Sequence, residues 1–194
     1  MHSPGAVDSA PSTGSVDQVV LLDEIGDPIG SWPRLEVHTT DTPLHLAFSA
    51  YLFNDAGEVL LTRRALTKKT WPGVWTNACC GHPRPGEPLV DAIDRRLGDE
   101  LGLRVGPGGV ADLVCALPDF SYRAVDASGV MENEVCPTYR GRVHPQAVLA
   151  PKSEEVMDWR WVAWGDLVEA ARLTPFAFSP WSVLQIDRLS RAWN

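Results

Sequence analysis

A mixed α+β fold is predicted by three features of the sequence. Apolar strand-like runs lie on both sides of one central amphipathic helix, no βα period repeats, and there is no internal repeat. With 194 residues and 44% hydrophobic content the chain can fill one core, so residues 18–194 are read as a single domain. Residues 1–17, small and polar around Pro4 and Pro11, bury too little surface to offset chain entropy and are read as a disordered tail.

From Gln18 the elements follow in order. VVLLDEIGDPIG reads as a strand running into a turn at Gly26, Asp27 and Pro28. HLAFSAYLFNDAGEVLLTRR reads as a hairpin, two apolar strands joined through Asn54, Asp55, Ala56 and Gly57. Between Pro88 and Gly102, Leu89, Val90, Ile93, Leu97 and Leu101 recur at helical spacing and Gly102 supplies the stop. Leu89 or Val90 then faces inward with Ile93, Leu97 and Leu101. The runs VADLVCAL, NEVCPTYRGRV and EVMDWRWV read as further strands, and 164–172 and 181–193 as closing helices.

Acids outnumber bases 25 to 17, a net charge of −8, which disfavours general attraction to nucleic acid or an anionic membrane surface. No stretch approaches the roughly 18 apolar residues of a membrane span, and the N-terminus lacks the order of a secretory signal. A soluble, cytoplasmic protein is expected. Four cysteines, two of them adjacent at 79 and 80, form a poor disulfide framework and lack the spacing of a structural zinc site, so reduced thiols are expected.

Three segments concentrate residues that metals and protons need: 36–45 with His38 and His45, 76–83 with Cys80 and His82, and 132–137 with Glu132 and Glu134. Glu132 and Glu134 stand two apart on a strand, so both leave the same face, where their repulsion is costly unless a cation or proton separates them. Three imidazoles and two carboxylates suit one divalent ion, Mn²⁺, Mg²⁺ or Zn²⁺.

A second constellation, Gly81-x₅-Glu87-x₇-Arg95-Arg96-Leu97-Gly98-Asp99-Glu100-Leu101-Gly102-Leu103, resembles the box of the Nudix superfamily over its full length. Arg96 and Asp99 replace two of that box's glutamates, which weakens the nest of carboxylates a pyrophosphohydrolase uses, while Glu100 still offers an oxygen to a diphosphate-bound Mg²⁺. Glu100 falls at the end of the helix, where the dipole disfavours a carboxylate without a cation, and that Mg²⁺ is the partner expected.

Taken with HTTDTPLHLAFS, TRRALTKKTWPGVWTNACCGHP, YRAVDASGVMENEVCP and TPFAFSPW, the chain resembles the type I isopentenyl-diphosphate isomerase family from about Val19 to Trp181. The resemblance implies a Nudix-like α/β/α sandwich with a mixed, mostly antiparallel sheet. It implies the 1,3-allylic interconversion of isopentenyl and dimethylallyl diphosphate in isoprenoid biosynthesis. It implies an ion at His38, His45, His82, Glu132 and Glu134, and a second Mg²⁺, carried by the substrate, at Glu100.

An unactivated alkene is a weak base, so the implied reaction needs one proton donor and one acceptor on opposite faces of the substrate. The resemblance assigns these roles to Cys80, which alone keeps the Cys-Gly-His-Pro order, and to Glu134, and sequence does not say which is the acid. Tyr122 is the implied relay to Glu134, and Trp181 offers a π face to a carbocation, worth around 2 kcal/mol when desolvated. Arg64 and Lys68 are the implied diphosphate ligands, with Arg63, Lys69 and Arg84 as weaker neighbours. The partner is thus a small diphosphate; the oligomeric state is left open.

Overall fold

The computed structural model describes residues 17–192. The expected N-terminal tail, apart from Asp17, lies outside the described residues. Asp17 itself is tied down, accepting from Arg34 at 2.6 Å and Arg84 at 3.1 Å.

The expected single sheet is two. The first is formed by β1 (Gln18–Leu22), β2 (Pro28–Pro33), β3 (His45–Leu46), β9 (Ser121–Val125) and β10 (Met131–Val135), in the order β2-β1-β3-β10-β9. The second contains β4 (Phe48–Phe53), β5 (Glu58–Arg64), β8 (Val110–Leu117), β11 (Thr138–Val143) and β12 (Val156–Ala163), in the order β12-β5-β4-β11-β8. Short strands β6 (Trp75–Thr76) and β7 (Cys79–Gly81) join it on β5 and β4. Among the strands of the described residues β3 with β10 and β4 with β11 pair in parallel and the other ladders are antiparallel, so the pairing is mostly antiparallel as expected.

The α/β/α layering follows from strand alternation. On β4, Phe48, Ala50 and Leu52 pack with α1 (Leu89–Leu101) through Ala92, Ile93, Leu97 and Leu101. Tyr51, on the other face, packs with α2 (Trp164–Leu173) and α3 (Pro180–Ala192) through Leu167, Ala171, Ile186 and Leu189. On α1 it is Leu89 that packs against the core, while Val90 is 42% exposed.

The run NEVCPTYRGRV is two strands rather than one, and the reason lies at Cys136-Pro137. Chain switching from the first sheet to the second occurs there between β10 and β11, and again at Ala47 between β3 and β4. The two parallel pairs cross together: Ala47 N donates to Val135 O at 2.9 Å and Ser49 N to Pro137 O at 3.1 Å, so the ladder continues through the crossing. Proline, with no N–H to place, suits the corner.

Gly102 ends α1 with φ +70° and its N–H on Leu97 O. A Cβ there would meet Ala150 Cβ at 2.9 Å as well as the left-handed penalty. Gly102→Ala is expected to lower unfolding stability by at least about 1 kcal/mol, read as a lower urea midpoint with an unchanged slope.

Candidate active site

The crossing strands carry the site. Glu134 on β10 lies in register with His45 on β3 at one side and Tyr122 on β9 at the other. On β7, Cys80 is in register with Ser49 of β4, and His82 follows at the strand's end. His38 arrives on the loop before β3, which is pinned to β10 by Thr42 Oγ1 donating to Met131 O at 2.6 Å and Met131 N donating to Thr39 O at 2.7 Å.

Strand alternation separates the adjacent cysteines. Cys79 is 1% exposed and packs in the core beneath α1, at the floor of a cleft of about 370 Å³ that Cys80 lines together with His38, His82, Glu134, Tyr122 and Trp181. All four cysteines are free.

Ligand atoms of His38, His45, His82 and Glu134 lie within 4.8 Å of one another, so these residues could hold a metal ion. Glu134 Oε1 is 2.9 Å from His82 Nε2, 3.4 Å from His45 Nε2 and 4.0 Å from His38 Nε2. Two observations within the chain fit an ion. His38 Nε2 is buried with no hydrogen-bond partner, and His45 Nδ1 donates to Pro43 O at 2.9 Å, leaving Nε2 of the neutral ring with its lone pair toward the cluster. The set of imidazole nitrogens and a carboxylate suits Mn²⁺, Mg²⁺ or Zn²⁺ alike.

Glu132 stands outside that four-residue group. Its Oε1 accepts from Thr70 Oγ1 at 2.6 Å and its Oε2 from Tyr122 OH at 3.0 Å, while His38 Nε2 is 3.7 Å away. Tyr122 OH also lies 2.9 Å from Glu134 Oε2, so one phenol bridges both carboxylates. Burial and the neighbouring Glu134 charge push Glu132 above the usual carboxylate range. Burial acts the same way on Glu134, but the imidazoles around it prevail and hold it well below that range.

Burial pushes the Cys80 thiol up to about 11, so it carries its proton at neutral pH. The sulfur donates to Asn77 Oδ1 at 3.1 Å, which also accepts from Trp181 Nε1 at 3.2 Å. Trp181, 3% exposed, meets Trp71 edge-on at 5.6 Å and leans on Tyr122 at 5.7 Å, an aromatic wall beside the thiol. Trp71 has φ +41°, a left-handed conformation uncommon for a bulky residue, within the loop between β5 and β6.

That loop also brings the cations. Arg64 is fixed by Thr70 O and Trp71 O and lies over the Trp181 ring at 5.2 Å; Lys68 pairs with Glu155 and stands 4.0 Å from Glu100. Lys69 donates to His38 O at 2.6 Å and Arg63 to Gly73 O at 2.8 Å. Arg84, 52% exposed at its side chain, is turned to Asp17. Glu100 already has a cation at the helix end: Arg96, one turn earlier on α1, pairs with it directly. The basic residue that breaks the box is therefore the partner of its retained acid.

Sequence reasoning missed Asn77, Thr70, Ser49 and Glu155. Each acts through a contact between distant segments, and no local spacing marks it.

Two outcomes are expected of metal binding. His82→Ala should abolish tight Mn²⁺ binding in isothermal titration. Burial opposes a charge on His45, yet Glu134 outweighs it and lifts the imidazole above its usual value. A bound ion must displace that proton, so affinity should fall as pH drops through this raised value, by about tenfold per pH unit for each proton displaced. A pH-independent affinity would contradict the assignment.

The chain matches the NUDIX domain over residues 43–182. A Frankia alni protein named isopentenyl-diphosphate Delta-isomerase is 55% identical over 176 residues, covering 91% of this chain and 87% of that protein. One of the same name from Mycolicibacterium vanbaalenii is 54% identical over 182 residues, covering 94% and 96%. Among solved structures, that of DR0079 from Deinococcus radiodurans superposes with a TM-score of 0.68 at 17% identity over 89% of this chain and 99% of that one. A MutT protein from Methanosarcina mazei Go1 gives 0.58 at 20% identity over 78% and 96%. These two bear on the fold, which is that of the NUDIX proteins. By the match to the NUDIX domain and the identity to its relatives, the chain belongs to the isopentenyl-diphosphate Delta-isomerase family.

Proposed function

We infer that this enzyme interconverts isopentenyl diphosphate and dimethylallyl diphosphate, an isomerisation in isoprenoid biosynthesis. The observation that carries the mechanism is the pairing, on one cleft, of a protonated thiol at Cys80 with an ionised carboxylate at Glu134. A 1,3-allylic shift adds a proton at C4 and removes one from C2 while the double bond moves from C3=C4 to C2=C3, so atoms and charge balance. One of the two groups delivers the proton and the other takes the second, and the reverse reaction exchanges their roles.

Glu134 divides its oxygens between two tasks. Oε1 faces the histidines and Oε2 faces Tyr122, which supports a proton path through Oε2 tuned by the phenol. His38, His45, His82 and Glu134, with Glu132 beside them as a fifth donor, would hold a divalent ion whose charge keeps Glu134 ionised and in place. The wall of Trp181, Trp71 and Tyr122 excludes water from a tertiary carbocation and offers it a π face. Arg64 and Lys68 at the cleft fit the diphosphate, and a Mg²⁺ carried by that diphosphate would meet Glu100 once the Lys68 and Arg96 contacts are shared with it.

The Arg96 to Glu100 pair also supports isomerisation over hydrolysis, since it neutralises the acid of the box instead of adding to a carboxylate nest. A thiol that must stay reduced fits a cytoplasmic setting. Incubation with isopentenyl diphosphate and Mg²⁺ or Mn²⁺ in deuterated water should give deuterated dimethylallyl diphosphate, followed by NMR and halted by chelator. Cys80→Ser should lower kcat by about 10²–10⁴-fold with metal content unchanged. Near-normal turnover by that variant, or no allylic product from the metal-loaded enzyme, would overturn the reading.

A further inference from the structure

Behind Cys80 runs a line of hydrogen bonds that the mechanism above does not use. Ser49 is fully buried, and its Oγ lies 3.4 Å from Cys80 Sγ, 3.4 Å from Cys136 Sγ and 2.9 Å from Gln185 Nε2. Gln185, one turn beyond Trp181 on α3 and equally buried, accepts from Tyr51 OH at 3.1 Å. Tyr51 OH is in turn 3.2 Å from Ser182 Oγ.

Counting donors gives the line its sense. Asn77 Nδ2 donates to the carbonyls of Ala50 and Cys79, at 3.1 Å and 2.7 Å, so Oδ1 is the atom facing Cys80 and it can only accept. The single hydrogen of Cys80 therefore goes to Asn77. Gln185 Nε2 can only donate, and it occupies one lone pair of Ser49 Oγ. The contact between Ser49 and Cys80 then requires the serine hydroxyl to donate to sulfur, and the Cys136 thiol fills the serine's second lone pair.

We propose that Ser49 and Gln185 are positioning residues for Cys80. Gln185 orients the serine hydroxyl, and the hydroxyl with Asn77 clamps the sulfur so that it exchanges its proton with substrate from one fixed rotamer. The proposal rests on the isomerase reading, in which Cys80 touches the reacting carbons. Gln185 touches neither substrate nor the Cys80 sulfur in that scheme; its Nε2 also reaches Cys136 Sγ at 3.9 Å, and it acts on Cys80 through Ser49.

The test combines kinetics with the infrared S–H stretch of Cys80, identified by its loss in Cys80→Ala. Gln185→Glu keeps the side chain's shape but replaces the donor by an acceptor, which draws the serine hydrogen away from sulfur. Ser49→Ala removes the hydroxyl. Each should lower kcat about tenfold or more with KM changed by less than about twofold, and each should shift the S–H band. The double variant should be no slower than Ser49→Ala alone, because the two residues form one line. Gln185→Met, uncharged and of similar length, replaces Gln185→Glu should the latter fail to fold, with the same expectations. An unmoved band, an unchanged kcat in both Gln185 variants, or multiplicative losses in the double variant would each overturn the proposal. Shifted bands in the variants, with a metal-loaded wild-type enzyme that forms no allylic product, would instead overturn the isomerase reading and leave the order of the hydrogen bonds standing.

Discussion

Two carboxylates buried side by side on one face of β10 are the feature around which the rest of the molecule is arranged. Glu132 and Glu134 are 6% and 5% exposed, and two like charges taken out of water at that spacing cost several kcal/mol unless they are separately compensated. The protein treats them differently. Glu134 receives three imidazoles, while Glu132 accepts from two hydroxyls, those of Thr70 and Tyr122. One strand thus presents two acids two residues apart that are pushed in opposite directions, Glu132 above and Glu134 below the usual carboxylate range, with one phenol between them.

Meeting that demand requires groups from segments far apart in sequence, and the crossing of two parallel strand pairs between the sheets supplies them. His45 lies in register with Glu134 on the first sheet, and Ser49, four residues later, is in register with Cys80 on the second. The thiol and the carboxylate are therefore placed by one continuous stretch of backbone. A single residue, Ala47, separates the strand that serves the acid from the strand that serves the sulfur. The loop of Arg64, Lys68, Thr70 and Trp71 borders this junction, so its cations reach the same cleft while Trp71 backs the Trp181 ring that lines it.

Much of this was legible in the chain. The helix 89–101 is marked by periodicity and a terminal glycine, the hairpin, whose first strand begins at Phe48 because His45 and Leu46 belong to the other sheet, by two apolar runs around an Asn-Asp-Ala-Gly turn, and the same-face placement of Glu132 and Glu134 by the two-residue period of a strand. Less legible were β6 and β7, too short to show any alternation, and the break at Pro137, which divides what reads as one strand between two sheets. Arg96 illustrates the limit well. By sequence it is a departure from a familiar box, and only its reach along the helix to Glu100 shows why a positive charge is tolerated there.

By itself the sequence determined the fold class and marked the histidines and carboxylates that the structure gathers into one possible metal group, because these depend on residue type, short spacing and motif order. The tertiary structure alone decided how those groups share protons. Whether a carboxyl is ionised, whether an imidazole nitrogen is left without a partner, and which way a serine hydroxyl points depend on burial and on neighbours dozens of residues away. Asn77, Thr70, Ser49 and Gln185 have no local pattern to mark them, since a hydrogen bond is set by distance and direction in space, and those exist only once the two sheets have crossed.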